Sequence, residues 1–177
     1  MDQISLSEYD VNWPHLFRAE SVRIREALPG DFILRLEHIG STAIQGLASK
    51  PVIDILLGVQ SIDSARIVAI PRLQALGYAH WIENPNRDHL FFVKGLPPNG
   101  PRTHHVHIVP MDSRKWDAIV FRNYLRTHPV NAAEYVVLKQ QLASEFEADR
   151  EAYTAGKTEF VNKIVERARD EFRITSK

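Results

Sequence analysis

The stretch EHIGSTAIQGLASKPVIDILLGV, residues 37–59, decides the fold. Its front end closes an apolar segment, FILRLEHI (32–39), in which Phe32, Leu34 and Leu36 alternate with Arg35 and Glu37, so it reads as a strand running into Gly40. Its back end, PVIDILLGV (51–59), is apolar at both parities except at Asp54, as expected of an inner strand covered on both faces. A carboxylate inside such a run is costly without a partner. The Gly40-Ser41-Thr42 turn stands 14 positions ahead of it. If that turn opens a short helix, the backbone N–H groups and hydroxyls of Ser41 and Thr42 point outward as anion donors. Ser and Thr also cap helices everywhere, so the turn acquires a role only if Asp54 lies beside it.

Outward from this centre, Trp13, Leu16, Phe17, Ile24, Ala27 and Leu28 recur at helical spacing between Asn12 and Leu28, with Asn12 as N-cap and Pro14 in the first turn. A second helix is expected from about Asp63 to Leu76, with a kink at Pro71. YAHWI (78–82), HLFFVKG (89–95) and THHVHIVP (103–110) read as strands, the last two joined as an antiparallel pair by LPPNGPR (96–102). Beyond Asp112 three helices are expected, at roughly 114–128, 131–150 and 157–174. The last carries Phe160, Val161, Ile164, Val165, Ala168 and Phe172 on one stripe. Five strands, one helical crossover and three closing helices make an α+β (mixed α/β) pattern, with no linker or repeat to divide residues 1–177.

At 177 residues the chain is long enough to bury a core without staples, and it has no cysteine, which removes disulfides and thiolate metal sites. The start MDQISLSEYD lacks the features of a signal peptide, so a cytoplasmic location is expected. No apolar run approaches the roughly 20 residues of a membrane helix. The 22 basic and 22 acidic residues cancel, which argues against broad nucleic-acid binding and makes any anion site local.

Three groups of side chains carry candidate chemistry. Asp54, if close to the Gly40 turn, would hold a cation next to a bound phosphate, a setting that suits magnesium; alternatively it caps a backbone N–H or pairs with Lys50 or Arg35. In THHVHIV, alternation places His105 and His107 on one face of a strand and His104 on the other, so the two imidazoles can reach one ion or one substrate. Imidazole is a softer ligand, so manganese or zinc also becomes admissible. The helical half supplies cations: Arg122 and Arg126 share a helix face at i, i+4, Tyr135 and Lys139 repeat that spacing, and Lys157 opens the last helix. Converging on one cleft with Lys50, they would clamp a polyphosphate; singly, such side chains are usually solvated. Arg87 and Lys94, flanking HLFFV, are weaker members of the same set.

These motifs carry a resemblance. YDVNWPHLFRAE (9–20), LEHIGSTAIQGLASKPVIDILLGV (36–59), LGY (76–78), THHVHIV (103–109), FRNYLRTHP (121–129), YVVLKQQLA (135–143) and YTAGKTEFV (153–161) together resemble the GrpB family over nearly the whole chain. That family looks like a branch of the nucleotidyltransferase superfamily, which implies a mixed sheet bearing a Gly-Ser turn, two alternate carboxylates on the following strand and a third on a later strand. The implied chemistry is nucleotidyl transfer with two divalent cations. Gly40 and Ser41 match the turn and Asp54 one carboxylate, but Val52 and Leu56 stand two residues either side of it, and His105 and His107 occupy the later strand.

The resemblance therefore implies a protein that binds a nucleoside triphosphate and a divalent metal and transfers a nucleotidyl group to an unknown acceptor. Two alternatives stay open: a degenerate site that binds a nucleotide or another phosphorylated ligand without turnover, and a phosphohydrolase or phosphotransferase using the histidines. Some relatives carry this domain fused to dephospho-CoA kinase, a link to coenzyme A metabolism, although this chain has no Gly-x-x-x-x-Gly-Lys-Ser/Thr loop.

Overall fold

The computed structural model describes residues 4–83, 87–96 and 100–175; side chains are described as far as Arg173. Five strands form one mixed sheet: β1 (Arg35–Ile39), β2 (Ile53–Val59), β3 (Tyr78–His80), β4 (Leu90–Lys94) and β5 (His104–Pro110), in the order β1-β2-β5-β4-β3. β2 and β5 run parallel, with Asp54 opposite His105 and Leu56 opposite His107; every other pair is antiparallel. The β4–β5 pairing expected from sequence is present, though residues 97–99 of the intervening loop lie outside the described residues. β1 starts later than the alternation implied, because the turn after Pro29 persists to Phe32, whose N–H donates to the Pro29 carbonyl.

Helices α1 (Trp13–Ala27) and α2 (Ile62–Ala75) cover one face of the sheet. Ile53, Ile55, Leu57 and Val59 of β2, Val106 and Ile108 of β5, and Leu90 and Phe92 of β4 all point into this layer, against Trp13 and Ile24 of α1 and Ala65, Ala69 and Leu73 of α2. Asn12 adjoins α1 but makes no side-chain cap bond. Ser61 does cap α2, accepting from the Ser64 amide, and Pro71 sits within that helix.

The opposite face is covered over part of its area. Ile39, Leu56 and Val109 meet Ile119, with Trp116 alongside, from the 3-10 turn 114–116 and helix α3 (Asp117–Thr127). A Cβ at Gly58 would lie 2.5 Å from the Met111 sulfur and 2.7 Å from the Trp116 ring, so glycine lets this cover sit flat on the sheet. Toward the starts of β2 and β5 the cover stops, and there Asp54, His105 and His107 are found.

The helical half departs from expectation in one respect. The segment read as a single helix over 131–150 is α4 (Pro129–Glu145) followed by a separate helix, α5 (Arg150–Ala155). Asp149 makes the break, its carboxylate accepting from the amides of Glu151 and Ala152. Helix α6 (Thr158–Thr175) buries Ile164 and Val165 against Phe121, Leu125 and Tyr135, but its apolar stripe runs off the body, leaving Phe172 74% exposed. Among the described residues no helix is long and apolar enough to cross a membrane.

Candidate functional site

The site begins with Gly40. Its φ of 73° lies in the left-handed region, and a Cβ there would stand 2.4 Å from Asp54 Oδ2. Only glycine lets the turn close down on the carboxylate. Antiparallel pairing of β1 and β2, which sets Ile39 opposite Asp54, creates this approach. The segment after Gly40 is a single 3-10 turn, Ser41–Ala43, so it offers backbone amides rather than a helix macrodipole.

The two hydroxyls of the turn differ from expectation. Thr42 is buried and its Oγ1 donates to the Val52 carbonyl at 3.2 Å and meets His38 Nε2 at 3.0 Å, so this hydroxyl braces the turn instead of pointing outward. Ser41 is half-buried and lies close enough to the Tyr135 phenol to lower its pKa, against the larger rise caused by burial.

Parallel pairing of β2 and β5 brings His105 Nδ1 to 2.9 Å from Asp54 Oδ1, and His107 Nε2 stands 4.0 Å from the same oxygen. One donor atom from each of the three residues lies within 4.8 Å of the others. Burial raises the Asp54 carboxyl, but the hydrogen bond from His105, with the charges of His105, His107 and Lys50, outweighs it and holds the group at about 2. Burial pushes His107 well below its ordinary value despite Asp54, so its imidazole is neutral at pH 7. On the far side of His107, Nδ1 meets His89 Nε2 at 2.9 Å, and the two rings stack with centroids 5.0 Å apart.

The second half of the site comes from α4, α5 and α6. Lys50 and Lys157 approach the Tyr153 ring, with Nζ 4.6 and 4.3 Å from its centroid. Lys139, 2% exposed, donates to the Ala48 carbonyl and lies 4.9 Å from the Tyr135 ring centroid. The three ammonium groups feel one another: burial with the charges of Lys157 and Lys50 lowers Lys139 to about 7, and burial with Lys157 and Arg150 lowers Lys50 to about 8. Lys157 is lowered by burial, and Asp54 opposes that shift. Gathering like charges in a half-buried pocket is unfavourable unless an anion joins them.

The structure therefore brings together Gly40, Ser41, Lys50, Asp54, His105, His107, Tyr135, Lys139 and Lys157. It does not bring Arg122 and Arg126 into that cluster. Arg122 donates to Glu37 Oε2 at 2.8 Å and to the His38 carbonyl at 2.7 Å, and Arg126 donates twice to the Ala43 carbonyl, at 3.0 and 2.6 Å. Both fasten β1 and the turn to α3. Lys94 lies under the other face, bonded to Glu20 at 2.7 Å, and Arg87 is exposed, its carbonyl accepting from Arg66. His104 also belongs to that face, where it feels the charges of Glu20 and Lys94.

Sequence reasoning missed four residues. His89 shares its parity with Phe91 on β4, a signal that alternation offered. Lys115, in the 3-10 turn after β5, feels the field of Asp54, and Tyr153 and Arg150 belong to the helix that was not separated.

A site for two hard cations needs several carboxylates. The residues present do not fit one: Asp54 is the single acid of the cluster, Val52 is 6% exposed, and Leu56 is fully buried beneath Ile119. They do fit a single ion with nitrogen ligands, since His107 is neutral and its Nε2, like His105 Nδ1, faces the Asp54 carboxylate.

The mixed five-stranded sheet with its covering helices is an α+β fold, in which a glycine turn closes on a strand carboxylate. Over 87% of this chain and 48% of the other, the structure is similar to that of Cid1 in complex with its short product ApU, with a TM-score of 0.52 and 16% identity, a likeness of fold alone. A closer likeness is to the crystal structure of the conserved protein GrpB from Enterococcus faecalis, with a TM-score of 0.81 and 32% identity over 95% of this chain and 99% of that one. The GrpB protein family model matches residues 3–167, and the chain belongs to that family. A UPF0157 protein of Pseudomonas aeruginosa is 48% identical over 94% of this chain and 68% of its own length. A dephospho-CoA kinase of Mycolicibacterium paratuberculosis is 26% identical over 91% of this chain, which spans 45% of that protein.

Proposed function

We propose that the protein binds a nucleoside triphosphate beside a divalent cation and transfers its nucleotidyl group to an acceptor hydroxyl. The observation that carries this reading is the meeting of opposite charges beside one turn: Gly40 closes on the Asp54 carboxylate, Lys50 and Lys157 feel its field, and Lys139 feels the charges of those two lysines. The amides of Ser41 and Thr42 would hold the outer phosphates, and the lysines would offset their charge. Asp54, His105 and His107 would hold the ion, which when bound supplies positive charge next to the phosphates. The acceptor oxygen forms a bond to the α-phosphorus, the α–β anhydride bond breaks, pyrophosphate leaves, and the hydroxyl proton passes to solvent or a nearby base.

ATP, GTP, CTP or UTP with Mg²⁺, Mn²⁺ or Zn²⁺ is expected to raise the melting temperature, and Asp54→Ala to abolish the rise. Absence of any nucleotide-dependent shift with every metal would contradict the reading. The burial of Leu56 where a second carboxylate would stand favours one alternative, a member that holds the nucleotide without transferring it. A thermal shift without pyrophosphate release over hours would select that alternative, and phosphate release would instead select hydrolysis through the histidines. The match to a dephospho-CoA kinase makes coenzyme A precursors reasonable acceptors to screen.

A further inference from the structure

The site described above departs from a two-cation carboxylate centre, and the departure is organised. His105 Nδ1 and His107 Nε2 stand 2.9 and 4.0 Å from one Asp54 oxygen. Ligand atoms held about 2.0 to 2.2 Å from a single ion are about 3 to 4 Å from one another, so these two spacings match one coordination sphere. Two imidazoles and one carboxylate form a donor set that first-row transition ions favour over magnesium. His107 is also held from behind. Its Nδ1 is engaged by His89 Nε2 at 2.9 Å, which leaves Nε2 to face Asp54. His89 is only 8% exposed and its ring is stacked on His107, while Phe91 stacks on His107 at 4.7 Å and meets His105 edge-on at 5.1 Å. A metal-ligating histidine almost always has its other nitrogen bonded in this way, which fixes the tautomer and the ring plane.

We infer that Asp54, His105 and His107 form a site for one imidazole-preferring first-row divalent ion, and that His89 is the positioning residue that presents His107 to it. The inference rests on reading Asp54 as a cation ligand and is independent of whether a nucleotide binds. The missing carboxylates are then a change of metal class rather than a loss of the site. Phe91 walls the two histidines on the β4 side.

The test uses untagged, chelator-stripped protein without nucleotide, titrated calorimetrically with Zn²⁺, Mn²⁺ and Mg²⁺ at pH 7.5. One equivalent of Zn²⁺ is expected, bound at least 100-fold more tightly than Mg²⁺. Asp54→Ala and His107→Ala should remove that equivalent. His89→Ala should weaken it about 10- to 100-fold, with partial rescue in His89→Gln. Visible absorption of the Co²⁺-loaded wild-type protein reads nitrogen ligation directly without any variant, and the same spectrum should change in His89→Ala. A stoichiometry of two, Mg²⁺ binding as tight as Zn²⁺, or a Co²⁺ spectrum of oxygen ligands alone would overturn the single-ion site. Unchanged Zn²⁺ affinity and Co²⁺ spectrum in His89→Ala would overturn the role of His89. A Zn²⁺ site without any triphosphate-dependent stabilisation would remove the nucleotide reading and leave this one standing.

Discussion

Gly40 and Asp54 are a matched pair, and each explains the other. An alanine at Gly40 adds a methyl group 2.4 Å from Asp54 Oδ2 and a side chain at φ 73°. Gly46→Ala provides a control, since its φ of 78° imposes backbone strain but nothing lies within 4 Å of the new Cβ. Both substitutions should cost roughly 1 to 3 kcal/mol in urea denaturation from backbone strain. Only Gly40→Ala should also abolish the response to metal and nucleotide, because only it displaces the carboxylate. Equal responses in the two variants would contradict the pairing.

Lys139 sets the pH dependence. Its folded value of about 7 lies below the 10.5 of the free side chain, so the unfolded chain holds the proton more tightly. The destabilising contribution is complete below about pH 7 and is relieved as pH rises toward 10.5. Stability should therefore climb across that window, and Lys139→Met should flatten the climb. An anion favours the protonated amine, so triphosphate affinity should fall as pH rises from 7 to 9 through the Lys139 and Lys50 values of about 7 and 8. Affinity that rises with pH in the wild type would contradict the placement of these lysines in the phosphate site.

At the scale of elements, β2 carries both the core and the site, with parity separating them. Ile53, Ile55 and Leu57 enter the layer under α1 and α2, whereas Asp54 and Leu56 face the other side. Leu56→Ala is expected to cost about 2 to 5 kcal/mol, as deletion of a buried leucine does. Leu56→Asp, which would write in the absent carboxylate, should cost more, because Ile39, Val109 and Ile119 surround the position and the neighbouring His107 is neutral. Urea denaturation of the two variants checks the order; a stable Leu56→Asp protein with stronger Mg²⁺ binding would contradict it.

Parity also made this part of the fold legible in the sequence. The apolar run interrupted by Asp54 marked a central strand, and THHVHIV divided His105 and His107 from His104. What stayed hidden depended on contacts between distant segments. Asp149 splits the helical half by bonding to amides that follow it, a cap embedded in a continuous helical pattern. Arg122 and Arg126 have the spacing of a clamp, but their partners are Glu37 and the carbonyls of His38 and Ala43, more than 80 residues earlier in the chain. His89 gained its place only when β4 was laid against β5, opposite the strand that bears His107.

On the whole-molecule scale, a chain with no net charge gathers three lysines, Lys50, Lys139 and Lys157, near one carboxylate and a pair of imidazoles. The sheet supplies Asp54, His105 and His107, α4 supplies Lys139, and Lys157 stands in the turn between α5 and α6, so the cluster draws on both halves of the fold. The absence of net positive charge over the whole chain predicts that raised salt weakens triphosphate binding and that there is no general affinity for nucleic acid. Filter binding of single-stranded RNA at low and moderate salt checks this, and tight sequence-independent retention at moderate salt would contradict it.

The most direct measurement is a crystal structure of the protein soaked with a non-hydrolysable nucleoside triphosphate and Mn²⁺, with anomalous data collected at the manganese edge. One anomalous peak is expected within coordination distance of Asp54, His105 and His107, with the phosphates lying between the Ser41–Ala43 turn and Lys50, Lys139 and Lys157. Triphosphate density elsewhere, or no density around Asp54 with ligand and metal in excess, would contradict a nucleotide and cation site in this cleft.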